Sequence, residues 1–188
     1  MITTVMGGRP RIESLLNGLF AWWGLHEDAK PYSASSIANS RLDSSGNNRH
    51  LTEQSGSIAI GTIGGGPKGN SALFGNTSNI LAVALSSPAV TNSAFTFSIW
   101  FKLYDVSQDY SIMHQVITSR PRITAGASGI VWGTGGSPNY VLDSTLPTLN
   151  QWYHVVGTRD TAVGASAQIK LYINGVLSTW AKIGRAHV

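Results

Sequence analysis

The chain carries nine carboxylates that could act as catalytic acids and bases, and their spacing tests for enzymatic function. A retaining glycosidase on a β-sheet needs two carboxyl groups about 5.5 Å apart, most simply on alternate residues of one strand. No two acids form such a pair within a predicted strand, because Glu27 and Asp28 are adjacent and would point to opposite faces. A site assembled across strands stays open, but the sequence predicts a protein that is not an enzyme. The acids are Glu13, Glu27, Asp28, Asp43, Glu53, Asp105, Asp109, Asp143 and Asp160.

Nucleophilic and metal-binding side chains are few. Cysteine is absent, which excludes a Cys nucleophile, a disulfide framework and a thiolate metal site. His26, His50, His114 and His154 are too far apart in the sequence to form a local metal-binding pair. His154 lies in a predicted strand beside Trp152, and we expect it to be a hydrogen-bonded residue of a sheet.

The stretch from Asp43 to Asn48 (DSSGNN) offers the best candidate for a metal site. Ca²⁺ takes about six to eight oxygen ligands, and a tight loop can supply carboxylate, amide and carbonyl oxygens. Asp43, Asn47 and Asn48 are the predicted side-chain ligands, and Gly46 allows the sharp bend. One carboxylate binds calcium weakly, so a second acidic ligand would be needed. The alternative is an ordinary Asx turn, stabilised by bonds to its own backbone.

Tryptophan side chains could stack on a ligand, and the chain has six of them. Trp22, Trp100 and Trp152 fall inside predicted strands, so a packing role is expected for each. Trp132 precedes Gly133-Thr134-Gly135-Gly136 and is the tryptophan that we predict to be exposed. It is therefore the candidate ligand-binding residue.

Composition excludes several classes of partner. The 188 residues contain 13 basic and 9 acidic side chains, a net charge of +4 scattered along the chain without a patch. A nucleic-acid-binding protein is expected to concentrate such charge on one face, so we predict no nucleic-acid partner. No apolar run approaches the length of a membrane span, and no signal peptide is visible.

Short strands must position these side chains. Residues Ala94–Leu103 alternate strictly, with Phe95 and Phe97 on one face and Trp100 on the other. A second strand follows Gln151, and Asn174-Gly175 predicts a type I′ turn between two further strands. Gly18–Leu25 is predicted to be the first strand of the chain. About eleven short strands and no convincing helix predict an all-β protein with two packed antiparallel sheets.

Six motifs in order carry a family resemblance: GLFAWWGL, LDSSGNNRHL, SALFGNTSNILAV, AFTFSIWFKL, NQWYHVVGTRD and IKLYINGVL. Together they resemble the laminin-G-like members of the concanavalin A-like lectin/glucanase superfamily over residues 18–180. The resemblance implies a jelly-roll sandwich, usually a non-catalytic module of secreted, surface or phage-particle proteins. It also favours calcium at a sandwich rim.

The predicted organisation is an N-terminal lead over residues 1–17 and a laminin-G-like sandwich over residues 18–182, incomplete at its C-terminal end. Residues 183–188 match the translation of a common sequencing adapter and are predicted to be non-native.

The predicted function is recognition of a glycan or protein surface through loops at one edge of the sandwich. The expected context is a larger extracellular or virion-surface protein, with other domains or subunits as partners. Two alternatives remain: a purely structural domain of a phage tail or capsid, and a glycoside hydrolase.

Overall fold

A computed structural model of the chain describes residues 18–25, 41–55, 58–60, 66–67, 71–75, 79–84, 94–115, 121–134, 140–160 and 169–178. All regular secondary structure in these residues is β-strand, which confirms the all-β prediction. The chain divides into two compact units, Met1–Leu85 and Ser86–Val188. The lead at residues 1–17 and the tail at 183–188 lie outside the described residues, and the prediction of one domain over 18–182 stays a prediction.

Where the structure describes the first unit, it contains four short strands in two antiparallel pairs. Strand β1 pairs with β4, and β2 pairs with β3. Isolated bridges join Trp23 to Asp43 and Arg41 to Leu51. The four strands are β1 (Thr52–Ser55), β2 (Ala59–Ile60), β3 (Ala72–Leu73) and β4 (Ile80–Ala82).

The predicted strand at Gly18–Leu25 is wrong, because in this stretch only Trp23 makes a β-bridge. Apart from the Trp22 carbonyl, which accepts from the Ser44 N–H at 2.8 Å, the backbone groups here bond to side chains rather than to a neighbouring strand. The Trp22 N–H donates to the Asp43 carboxylate, and the Phe20 carbonyl accepts from the Asn47 amide. Positive φ angles at Gly18 and Leu25 bound the stretch. Aromatic residues raise β propensity, but propensity does not supply a pairing partner.

The described residues of the second unit form eight strands in two four-stranded antiparallel sheets. One sheet has the order β12-β11-β10-β5, and the other has the order β6-β7-β8-β9. The eight strands are β5 (Phe95–Lys102), β6 (Tyr110–His114), β7 (Pro121–Gly126), β8 (Gly129–Thr134), β9 (Tyr140–Asp143), β10 (Trp152–Arg159), β11 (Ile169–Ile173) and β12 (Val176–Leu177). The two sheets agree with the predicted sandwich.

The core of the second unit lies between these two sheets. Phe101, Val155 and Leu171 project from one sheet, and Ile123 and Trp132 project from the other. Burying such side chains contributes about 1.5–3 kcal/mol each before conformational entropy is counted. The alternation predicted for β5 is confirmed, because Thr96, Ser98 and Trp100 are exposed while the intervening residues are shielded.

The turn between β11 and β12 could be read from the sequence, whereas strand β7 could not. The Asn174-Gly175 turn between β11 and β12 is confirmed, with φ angles of 51° and 81°. Strand β7 was not predicted, since Pro121 opens it and Gly126 closes it. Proline is tolerated as the first residue of a strand, where no ladder hydrogen bond is required of its nitrogen.

Candidate functional site

The outer face of sheet β12-β11-β10-β5 presents an aromatic cluster on regular strands. Register places Trp100 directly opposite His154, and Lys102 directly opposite Trp152. Tyr104 follows β5 and continues the row. We call these five residues the aromatic face. Trp100 is 49% exposed and Tyr104 is 52% exposed, so large ring surfaces on strand-anchored backbone face outward.

Trp100 is held by its neighbour across the strands. Its indole stacks on the His154 imidazole with ring centroids 4.8 Å apart and planes 17° apart. The His154 ring is oriented in turn by a 2.9 Å hydrogen bond between its Nε2 and Ser98 Oγ. The backbone N–H of His154 also donates to Asn174 Oδ1 at 2.9 Å. His154 thus covers one side of the Trp100 ring, while the Trp100 side chain as a whole stays 49% exposed.

Lys102 lies between two aromatic rings at one end of the aromatic face. Its Nζ is 5.1 Å from the Tyr104 ring centroid and 5.4 Å from the Trp152 ring centroid. Such cation–π contacts contribute about 0.5–1 kcal/mol at exposed sites. These two contacts therefore restrict the Lys102 ammonium group to a position on the aromatic face.

Sequence reasoning placed Trp100 on the correct face of β5 but gave it the wrong role. It assigned Trp22 and Trp100 to packing, whereas these side chains are 57% and 49% exposed. The signal that could have identified Trp100 was present, since it shares its face with Thr96, Ser98 and Lys102. A tryptophan among polar residues on one side of an alternating strand indicates a solvent-facing ring. The predicted role of His154 as a hydrogen-bonded sheet residue is confirmed.

Trp132 does not occupy the exposed position predicted for it. Its side chain is 0% exposed and lies in the core, against Phe95 and Phe97 at ring-centroid distances of 5.8 and 5.4 Å. Its Nε1 donates to the Thr158 carbonyl at 3.1 Å. The neighbouring glycines suggested a loop, but Trp132 sits in the middle of a strand that has partners on both sides, opposite Ile123 and Val141. Alternation along β8 turns it inward.

The loop from Asp43 to Asn48 is stabilised by hydrogen bonds to its own side chains. Asp43 Oδ1 accepts from the N–H groups of Trp22 and Ser45, each at 2.9 Å, and Oδ2 accepts from Arg49 N–H at 3.0 Å. Asn47 Nδ2 donates to the carbonyl of Leu19 at 2.8 Å. Asn48 adopts a positive φ of 54°. These contacts are those of an Asx turn that also anchors residues 19–22, and calcium binding by Asp43, Asn47 and Asn48 stays a prediction.

The pKa of Asp43 reflects these contacts. Burial acts to raise the pKa, but hydrogen bonds from the Ser45 side chain and from the backbone N–H groups of Trp22, Arg49 and Ser45 outweigh it. The pKa is therefore held well below its usual range, and the carboxylate stays ionised at neutral pH.

A groove of about 320 Å³ lies at one end of the second unit, between the residues after β9 and the β11–β12 hairpin. Apolar side chains dominate its walls, and Asp143 is its only carboxylate. That carboxylate already accepts from Thr145 N–H at 3.0 Å and from Ser178 Oγ at 3.0 Å. The groove thus lacks convergent polar groups aimed at a ligand. Its lining includes Ile130, Leu146, Pro147, Tyr153, Ile173 and Val176.

Within the described ranges, no group of three or more histidine, aspartate or glutamate side chains is arranged to hold a metal ion. Those ranges also contain no helix long and apolar enough to cross a membrane.

Comparison with known proteins returned one family. The family model Laminin_G_3, described as the concanavalin A-like lectin/glucanases superfamily, matches residues 74–185. Comparisons with curated proteins and with solved structures found no match. The matched range spans all eight strands of the second unit, including the aromatic face.

Proposed function

The chain belongs to the concanavalin A-like lectin/glucanases superfamily, and we propose that it is a non-catalytic module that binds glycans through the aromatic face. Membership supports a carbohydrate- or protein-binding role, since lectins and laminin-G-like modules share this fold. The chemistry of the aromatic face favours the glycan. We further propose that the module works in an extracellular or virion-surface protein, as laminin-G-like domains often do.

The observation that carries this proposal is the exposed Trp100 ring, fixed by stacking on His154. The C–H face of a pyranose ring is apolar and flat, so it packs on an indole and releases water from both surfaces. Ring hydroxyls at the edge of such a sugar would reach Ser98 Oγ and Lys102 Nζ, which lie on the same face of the sheet. A rigid platform also lowers the entropy lost on binding.

The positions of the exposed rings favour a recognition surface built from strand residues rather than from loops. The groove at the end of the sandwich is the feature nearest to the predicted edge site, yet its single carboxylate is already hydrogen bonded. The aromatic face instead combines exposed rings with the ammonium group of Lys102, which lies between the Tyr104 and Trp152 rings.

The experiment is an affinity screen of the full chain against soluble and insoluble polysaccharides, followed by titration of the glycans that bind. Trp100→Ala is expected to weaken binding by about tenfold or more, as truncation of a central aromatic anchor does. Trp22→Ala is the matched control, because it removes an equally exposed indole from the first unit. Unchanged binding in Trp100→Ala, or equal losses in both variants, would overturn the proposal. Circular dichroism melts establish that each variant is folded.

A further inference from the structure

The sheet that bears the aromatic face has an unusual charge composition. Strands β5, β10, β11 and β12 contain no aspartate and no glutamate, but they contain Lys102, Arg159 and Lys170. Arg159 pairs with Phe95 and so belongs to the opposite, core-facing side. Lys102 and Lys170 fall on the same side as Trp100, by the alternation of the paired strands. The outer face of these strands therefore carries positive charge alone.

Along the strand direction, the two lysines lie on opposite sides of the Trp100–His154 pair. Lys102 pairs with Trp152 at the start of β10, and Lys170 pairs with Thr158 near its end. At about 3.3 Å per residue, these positions are about 20 Å apart along the strand direction. The Trp100 and His154 rings lie between them.

Two acids flank this sheet, and neither lies on its strands. Asp105 follows Tyr104, but its carboxylate accepts from the Ser107 N–H, the Ser107 hydroxyl and the Tyr110 hydroxyl. Those bonds hold it toward its own loop and lower its pKa to about 2. Asp160 follows the last residue of β10. Between Lys102 and the paired residues Thr158 and Lys170, the outer face of these four strands thus carries no aspartate or glutamate that would repel an anion.

We propose that the natural ligand is an anionic polysaccharide, bearing carboxylate or sulfate groups, whose chain lies across Trp100 and extends from Lys102 toward Lys170. This inference rests on the proposed function and names the class of its ligand. An uncharged ring stacks on Trp100 while anionic substituents on neighbouring sugars meet the two ammonium groups. Because Lys102 is already placed between Tyr104 and Trp152, pairing it with an anion costs little side-chain entropy.

Charge density separates this ligand from a nucleic acid. Each strand of a B-form duplex carries one phosphate about every 3.4 Å of helix axis, so about six phosphates per strand would cross a face about 20 Å long. Two ammonium groups neutralise a small part of that charge. A polysaccharide places an uncharged ring between its anionic groups, which suits cations separated by an aromatic platform.

The test uses polymers that share one backbone and differ in charge. Dextran, carboxymethyl-dextran and dextran sulfate, and likewise a soluble hydroxyethyl cellulose and carboxymethyl cellulose, are titrated against the full chain at 50 mM and 500 mM NaCl. We expect the anionic members to bind at least about tenfold more tightly than their neutral counterparts at 50 mM salt. This preference is expected to shrink at 500 mM salt, where charges are screened beyond about 4 Å. Comparison of the carboxymethyl and sulfate polymers identifies which anion is preferred.

Variants separate a specific contact from attraction to the net positive charge. Lys102→Gln and Lys170→Gln are each expected to weaken binding of the anionic polymers about two- to fivefold. Arg122→Gln is the matched control, since it removes an exposed positive charge from strand β7 of the other sheet. Lys102→Arg keeps the positive charge that Lys102→Gln removes, and it is expected to bind the anionic polymers about as tightly as the wild type.

The outcomes distinguish this inference from the proposed function. Equal binding of neutral and anionic members that still depends on Trp100 overturns the choice of an anionic ligand and leaves glycan binding in place. Equal losses in Lys102→Gln and Arg122→Gln also overturn it, as does tighter binding of single-stranded DNA than of any polysaccharide. Binding that is indifferent to Trp100→Ala overturns the proposed function itself.

Discussion

Gly157 illustrates how a single residue governs the packing of the second unit. It lies on β10 opposite Phe97 and Leu171, facing the core. A Cβ atom at this position would lie 2.3 Å from Cδ2 of the Trp132 indole. Because Gly157 has no side chain, the Trp132 indole occupies the space where a Cβ atom would lie.

Gly157→Ala is expected to lower the free energy of unfolding by about 1–3 kcal/mol, because the rigid indole must shift within a packed core. Urea denaturation monitored by tryptophan fluorescence measures this. Gly75→Ala is the control, since a Cβ there meets no atom within 4 Å. Equal stability of the two alanine variants would contradict the packing of Trp132 against Gly157.

Asp43 makes stability depend on pH through its ionised carboxylate. The pKa of Asp43 in the folded protein is lowered relative to an ordinary value of about 3.9. A group with a depressed folded pKa contributes stability above its unfolded pKa, and that contribution is lost as the pH falls through its folded pKa. We expect Asp43→Asn to lose about 1–3 kcal/mol of stability at pH 6, because Arg49 N–H no longer meets an anionic oxygen. The difference from wild type should shrink below pH 4, and a constant difference from pH 6 to pH 2 would refute this role.

Calcium provides a second test of the same loop. If the loop is an Asx turn alone, Asp43→Ala lowers the melting temperature equally in 5 mM calcium and in chelator, because the Asp43 oxygens already accept three backbone N–H bonds. A calcium-dependent rise in the wild-type melting temperature that disappears in Asp43→Ala would instead establish an ion site formed with Asn47 and Asn48.

At the scale of elements, a buried ion pair ties β1 to the residues before it. Arg41 and Glu53 are 1% and 0% exposed, with Nη1 and Oε1 3.5 Å apart. Arg41 Nη2 also donates to the Ile58 carbonyl at 3.1 Å. Neither Glu53 oxygen has a hydrogen-bond partner among the described residues. The Coulomb attraction of Arg41 is thus the main compensation for removing the Glu53 charge from water.

Removing one member of this pair should cost far more than removing both. We expect Glu53→Leu to lower the free energy of unfolding by about 3–5 kcal/mol, because it removes the carboxylate that faces the buried Arg41 guanidinium. The double variant Arg41→Met/Glu53→Leu should recover most of this loss and lie within about 2 kcal/mol of wild type. A double-mutant cycle in urea measures the coupling. Additive losses would show that the two charges act independently.

At the scale of the whole molecule, we expect the protein to bind polysaccharides without cleaving them. The sequence lacks a pair of acids at alternate positions of a predicted strand, which is the simplest arrangement for a retaining glycosidase. Incubation with the polysaccharides that bind should release no reducing ends above a buffer control. Turnover that disappears when any one of the nine acids is changed would show that the module is a hydrolase.

The sequence by itself determined the all-β class, the strands around Phe95, Trp152 and Ile169, and the turn at Asn174-Gly175. These features follow from local rules: period-2 alternation states which side chains share a face, and a two-residue turn requires positive φ angles. The order of six motifs also identified the family, which the match to residues 74–185 confirms.

The tertiary structure alone decided that Trp132 is buried and that Trp100 has His154 as its neighbour. The polar neighbours of Trp100 on β5 already indicate its outward face. Alternation along β8 assigns Trp132 to one of two faces but does not state which face a second sheet will cover. That depends on pairings between residues distant in sequence, such as His154 with Trp100 and Ile123 with Trp132. The aromatic face therefore became visible only when β10 was placed beside β5, because that pairing stacks His154 on Trp100.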